Sequence, residues 1–181
     1  MRIILVLAAL FLINAAHADP APPQDEVGPH VSDRSFLARM GDMGEKVEEK
    51  TSQLVSNAMG FLGVRYRRGG TNSETGFDCS GFVRAIFEQT AGLVLPRRAN
   101  EQAAASEKIE RADLQPGDLV FFNTMRKAFS HVGIYVGEGK FIHSPKPGAK
   151  VRVESMSISY WARRFDGARR ISVDPTDANN P

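Results

Sequence analysis

Phe77-Asp78-Cys79-Ser80-Gly81-Phe82-Val83-Arg84-Ala85-Ile86-Phe87 is the stretch that decides how this chain folds. Phe82, Val83, Ile86 and Phe87 recur at helical spacing and Gly92 closes the pattern, so a helix is expected to begin at or near Asp78 or Cys79. Cys79 is the single cysteine of 181 residues and has no partner for an internal disulfide. It is therefore either a small buried hydrophobe or a reactive thiol. A helix N-terminus favours the thiolate, which is the nucleophilic form, and Gly81 is expected to keep the approach to the sulfur open. Position alone leaves the two readings evenly matched.

Upstream, Val47, Leu54, Val55, Ala58, Met59 and Leu62 repeat near the 3–4 spacing of one apolar face, which predicts a helix over 45–62 ended by Gly63. A turn-rich segment, 69–76, separates it from the cysteine helix. A short helix is expected over 99–105, with Asn100 as a candidate cap. Downstream the character changes. The turn Gln115-Pro116-Gly117-Asp118 leads into a strand over 119–122, followed by strands over 130–136 and 140–144 joined at Gly137-Glu138-Gly139. Further strands are expected over 151–154 and 169–173. Helices first and strands after argue for an α+β fold, N-terminal helices packed on a C-terminal antiparallel sheet.

Two histidines fall on that hairpin. His131 opens one strand, where an imidazole can take a thiol proton and return it to a leaving group. If the turn centres near Gly137, His143 lies directly across from it and can set its tautomer and orientation. Facing histidines also suit a metal, but no third and fourth ligand stand at sensible spacing, so no metal is expected.

The ends read differently from the middle. Arg2, the apolar run Ile3 to Ile13 and Ala16-His17-Ala18 have the form of an export signal over 1–18, too short to span a bilayer comfortably. Residues 19–35 are Pro-rich and acidic and read as a flexible leader, residues 36–173 as the folded domain, and 174–181 as a flexible tail. The residue directly after the cleavage site is Asp19, not cysteine, so no lipid anchor is expected. The 36–173 core keeps 21 basic and 15 acidic residues, a net +6 against +2 for the whole chain. That balance suits an anionic polymer, and after export the cell envelope is a better match than nucleic acid.

Taken together, several segments resemble the NlpC/P60 family of cell-wall cysteine peptidases. They are Arg65-Tyr66-Arg67-Arg68-Gly69-Gly70, Phe77 to Val83, Leu95-Pro96-Arg97, Gln115 to Phe122, Ser130 to Gly137, Phe141-Ile142-His143-Ser144 and Trp161 to Ile171. The resemblance spans about residues 50–172. It implies a papain-like domain with Cys79 as nucleophile, His131 as base and His143 as its orienting residue. It also implies that Tyr66 lies beside the thiol at the oxyanion or substrate site, with Asp78 and Ser80 lining the substrate cleft. From the residues alone, a core aromatic at a strand end is the lesser alternative for Tyr66, whereas Asp78 is equally readable as a helix cap. Arg68 and the run Arg97-Arg98-Ala99 depart from the family pattern and add positive charge near the expected cleft.

The export signal and the resemblance together lead to the expectation of a periplasmic or secreted monomer that needs no cofactor and acts on peptidoglycan or muropeptides. The scissile bond would be γ-D-glutamyl to diaminopimelate or D-alanyl to diaminopimelate, cut through a thioacyl-enzyme. An acyltransferase or amidase using the same residues on lipids is a rival reading. A non-catalytic wall-binding module is another, and its mark would be a missing nucleophile or base.

Overall fold

The computed structural model describes residues 31–172, so the expected export signal, the leader up to residue 30 and the 174–181 tail lie outside the described residues. Helix α1 runs Val31–Gly60 and carries on N-terminally well past the expected start at residue 45, into the last residues of the expected leader. Its buried face is narrower than the apolar pattern suggests. Leu54 and Ala58 are buried, whereas Leu37, Met40, Met43, Val47, Met59 and Leu62 are exposed. Of the apolar pattern, Val47 lies ahead of the buried segment, and Met59 and Leu62, at and just past the helix end, stay exposed. Gly63 comes after the helix end, adopting φ 85° and donating its N–H to the Val151 carbonyl at 3.0 Å.

A two-residue hairpin follows, β1 (Thr71–Asn72) against β2 (Gly76–Phe77), and delivers the chain to α2 (Cys79–Ala91). Asp78 caps α2, and Gly92 in the left-handed region closes it by donating to Glu88 and Phe87 carbonyls. Helix α3 (Ala99–Ala104) begins two residues earlier than an Asn100 cap requires. Arg98 occupies the cap position and its backbone N–H is met by Glu101 Oε2 at 3.2 Å.

The remaining strands form one antiparallel sheet: β3 (Glu107–Ile109), β4 (Leu119–Phe122), β5 (His131–Gly137), β6 (Lys140–His143), β7 (Arg152–Ser155) and β8 (Phe165–Arg170), in the order β3-β8-β4-β5-β6-β7. A short helix α4 (Ser159–Ala162) precedes β8. The last strand lies earlier than the expected 169–173, and β3 has no counterpart in the sequence reading. Neither shows period-2 alternation: β8 reads Phe-Asp-Gly-Ala-Arg-Arg, and it earns its inner place by pairing with β3 on one side and β4 on the other.

Period-2 alternation on β4 sorts the two faces of the sheet. Leu119 and Phe121, with Val132 and Ile134 of β5, join Leu54, Phe82, Val83, Ile86 and Phe87 of α1 and α2 in the main core. Val120 and Phe122 face the other way, into a smaller cluster with Phe141, Met156 and Trp161. The layout is helices packed on an antiparallel sheet, an α+β fold. Among the described residues no helix is long and apolar enough to cross a membrane.

Candidate active site

Helix α2 starts where the chain crosses under the 69–70 loop. Gly81 sits so tightly there that a Cβ would come 2.1 Å from the Gly70 carbonyl oxygen. Its lack of a side chain thus serves backbone packing beneath the helix, rather than access to the sulfur. Asp78 is more heavily engaged than a simple cap. Oδ1 accepts from the Gly81 N–H at 2.8 Å and Oδ2 from the Gly69 N–H at 2.9 Å. The Arg97 guanidinium adds a two-pronged ion pair, 3.0 Å to Oδ1 and 2.6 Å to Oδ2, and also donates to Ser80 Oγ at 3.0 Å. The carboxylate therefore fastens three segments together at the foot of the helix.

Cys79 is partly exposed at that helix start. Burial and the neighbouring Asp78 push its thiol up from the ordinary range, while backbone amides of Val132, Ser80 and Cys79 itself act against that rise. The direction is opposite to the one expected from helix position alone, because desolvation outweighs the helix-end field. Tyr66 lies alongside; burial and then Cys79 raise its hydroxyl pKa, so it stays a hydrogen-bond donor at neutral pH.

The histidines sit on the sheet face that carries Trp161. β5 pairs with β6 through Ile134–Ile142 and Tyr135–Phe141, then slips by one residue before Gly137–Lys140. Continued the other way, this register puts Gly133, not His131, across from His143. The turn lies at Glu138–Gly139 rather than at Gly137, so the expected direct pairing of His131 with His143 does not form, and the two rings meet on the diagonal instead. Gly133 makes room for the meeting, since a Cβ there would stand 3.1 Å from His143 Cβ and 2.6 Å from the Phe141 ring.

On that diagonal His131 Nε2 lies 2.7 Å from His143 Nδ1, and His143 Nε2 lies 2.7 Å from Glu154 Oε2, which also accepts from Arg152 at 3.2 Å. Trp161 stacks on His131 with centroids 5.4 Å apart at 24° and meets His143 edge-on at 5.0 Å. Burial, reinforced by His143, lowers the His131 pKa to about 3, and burial lowers that of His143 as well. Hydrogen bonding from His143 leads the causes that hold Glu154 down at about 2.

With Glu154 ionised and both rings neutral, the proton positions follow. Glu154 must accept from His143 Nε2–H, so His143 Nδ1 is bare and accepts from His131 Nε2–H, which leaves Nδ1 of His131 as a free lone pair. Two nitrogens on one zinc, each at about 2.0–2.1 Å, would stand further apart than the 2.7 Å of a direct hydrogen bond. Among the described residues no group of three metal-type ligands gathers. Glu154 carries no separate signal in the sequence; the β6–β7 register, which pairs Phe141 with Glu154, brings the carboxylate to the ring.

Two clefts flank Cys79. One, of about 430 Å³, brings together Cys79, His131, Tyr66, Glu154 and Trp161. The other, of about 590 Å³, is lined by Tyr66, Asp78, Cys79, Ser80 and the basic residues Arg68 and Arg97. All six residues singled out from the sequence therefore gather here, His143 from behind as a fully buried partner of His131.

A thiol at a helix start, set at the edge of an antiparallel sheet that bears a histidine pair, defines a papain-like α+β domain. The chain belongs to the NlpC/P60 family, whose model matches residues 63–170. It is 39% identical over 179 residues to the murein DD-endopeptidase MepS/murein LD-carboxypeptidase of Escherichia coli K12, covering 94% of this chain and 92% of that protein. It is 42% identical over 134 residues to the murein DD-endopeptidase MepH of the same strain, and 40% identical over 129 to the gamma-DL-glutamyl hydrolase of Bacillus subtilis 168. Those matches cover 72% and 71% of this chain, but only 49% and 31% of the relatives. Among solved structures, an NlpC/P60 family protein from Bacillus cereus superposes with a TM-score of 0.62 at 34% identity, over 66% of this chain and 39% of the other. The NlpC/p60 domain of the peptidoglycan hydrolase SagA superposes with 0.59 at 33%, over 67% and 98%.

Proposed function

We propose that this protein is an exported cysteine endopeptidase that hydrolyses peptide bonds of peptidoglycan. The observation that carries the reading is the unbroken line Glu154–His143–His131, which ends in a bare imidazole nitrogen in the cleft that holds Cys79. In this reading Cys79 attacks the scissile carbonyl carbon as its proton passes to His131 Nδ1, because the raised thiol and the lowered imidazole favour a neutral pair at rest. The Tyr66 hydroxyl, kept protonated, donates to the developing oxyanion. Collapse breaks the C–N bond, the amine leaves with the proton from His131, and a thioacyl-enzyme remains. Water then gives a proton to His131 as its oxygen bonds to the acyl carbon; the C–S bond breaks, the carboxylic acid product leaves, and the proton passes from His131 back to sulfur, restoring the thiol.

Of the two bonds considered, we favour the D-alanyl to diaminopimelate cross-link. The relative that this chain matches over nearly its whole length is named for murein DD-endopeptidase and LD-carboxypeptidase activity. The γ-D-glutamyl bond is the second reading, supported by the Bacillus subtilis gamma-DL-glutamyl hydrolase. Mass analysis of peptidoglycan digested with purified residues 19–181 tests both. Loss of cross-linked dimers with gain of tetrapeptide monomers is the expected result, disaccharide dipeptides would move the assignment to the second bond, and unchanged muropeptides would refute the function.

A further inference from the structure

The cleft on the Asp78 side of Cys79 is unusually basic for a space next to a nucleophile. Arg68, Arg97, Arg98 and Lys127 line it, and the sole carboxylate lining it is Asp78. That carboxylate is already neutralised by both prongs of Arg97. Arg68 and Lys127 have no ion-pair partner among the described residues, and Arg98 touches Glu101 only at 4.0 Å with both side chains exposed. Three cations therefore converge on one opening, and only Arg98 has a counter-charge nearby, the exposed Glu101.

Their placement is fixed by the backbone. Arg68 precedes Gly69, whose N–H is tied to Asp78, and Arg98 is the cap of α3. Lys127 rides on the 123–130 loop, which is closed by Ser130 Oγ accepting from the Thr124 N–H at 2.9 Å and anchored by the Phe129 N–H on Asp166 at 2.7 Å. Ser80 also lines the cleft, but its hydroxyl accepts from Arg97 at 3.0 Å, so the charge offered to a ligand comes from the other three side chains. The opposite cleft differs: Lys146 and Arg152 are accompanied there by Glu154, and Pro145, Pro147, Ile158, Tyr160 and Trp161 make much of its wall apolar.

We infer that Arg68, Arg98 and Lys127 form a carboxylate-binding subsite that makes the enzyme select peptides bearing a free carboxylate close to the scissile carbonyl over the same peptides with that group amidated. The inference rests on the peptidase reading above and names the chemistry that the site discriminates. Guanidinium groups favour carboxylates through paired charge-assisted hydrogen bonds, which a neutral amide cannot return. Partial exposure keeps each contribution modest, so the three together yield a preference of about tenfold in kcat/KM. Salt at about 0.5 M shortens the screening length to a few ångströms and reduces that preference.

The test uses matched stem peptides, free acid and amide, with the purified protein. The wild-type protein is expected to favour the acid about tenfold. The Arg68→Gln/Arg98→Gln variant brings the acid-to-amide ratio close to one, and Arg68→Glu/Arg98→Glu inverts it. Lys127→Gln, a single change on an exposed loop, lowers the ratio by a smaller factor and stands as the check should a double variant misfold. Equal hydrolysis of acid and amide by the wild type, or a wild-type ratio surviving in the variants, overturns the inference. Failure to cut either peptide would count against the peptidase reading itself, so the two failures are distinct.

Discussion

Replacing Glu154 by Gln isolates the charge behind the histidine pair. The side chain keeps its shape, and Arg152, which donates to Oε2, selects the amide oxygen for the same place. That oxygen still accepts from His143 Nε2–H, so the tautomers are preserved and only the negative charge is lost. The charge matters when His131 becomes imidazolium during attack. Glu154 lies two 2.7 Å hydrogen bonds and one ring away from it. At roughly 8 Å and an effective dielectric of about 20, the attraction is about 2 kcal/mol. That is roughly a 30-fold loss of rate. Because the imidazolium is absent from the resting site, the loss should fall on kcat and leave KM nearly unchanged. Glu154 also raises the proton affinity of His131, so its removal weakens the base in the same direction. Steady-state kinetics on a stem-peptide substrate decide the matter. A Glu154→Gln enzyme with wild-type kcat, or one whose defect lies in KM alone, would refute the relay.

Cys79→Ala should be inactive with its fold intact, and His131→Ala should match it closely, because members of one catalytic unit are not additive; His143→Ala should be milder, and a reversed ranking of the two histidines would reverse their roles. Gly81→Ala should lower stability by about 3 kcal/mol, since its Cβ meets the Gly70 carbonyl at 2.1 Å. A thermal scan should show a fall of about 10 °C, and an unchanged midpoint would mean the close approach is not required. His131 is held near 3 against 6.5 for a free imidazole, so the unfolded chain binds a proton that the folded chain refuses, and stability should fall as pH drops from 6.5 towards 3. Glu154, lowered from 4.5 to about 2, adds a loss of the same sign below pH 4.5. Urea midpoints across that range should fall more gently for His131→Leu, and a slope identical to wild type would argue that the ring is not buried neutral.

What the sequence revealed, and what it hid, follows the range of the interactions. Local signals were readable: the apolar spacing after Cys79, the glycine at position 92, and β4 at its observed bounds all depend on neighbours a few residues away. The hairpin was readable as a hairpin but not in register. Gly137, Glu138 and Gly139 all take positive φ, and the strand slips beside them, which no alternation of apolar residues announces. Long-range partners were hidden for a related reason. The Asp78–Arg97 pair joins residues on opposite sides of α2, and Glu154 reaches His143 only through the β6–β7 register. Helix position alone pointed the Cys79 pKa the wrong way, because burial is a property of the assembled site and not of the helix.

Trp161 is the only tryptophan in the chain, and it lies flat against the ring proposed to change charge in each half of the reaction. An excited indole gives up an electron to an imidazolium far more readily than to a neutral imidazole, so its light dims when its stacked neighbour is protonated. The protein thus carries an optical gauge of His131 with no label attached. In a stopped-flow mixing experiment, emission should fall as the thiol proton arrives on His131 and return as the amine departs with it, resolving two proton transfers that product analysis merges into one.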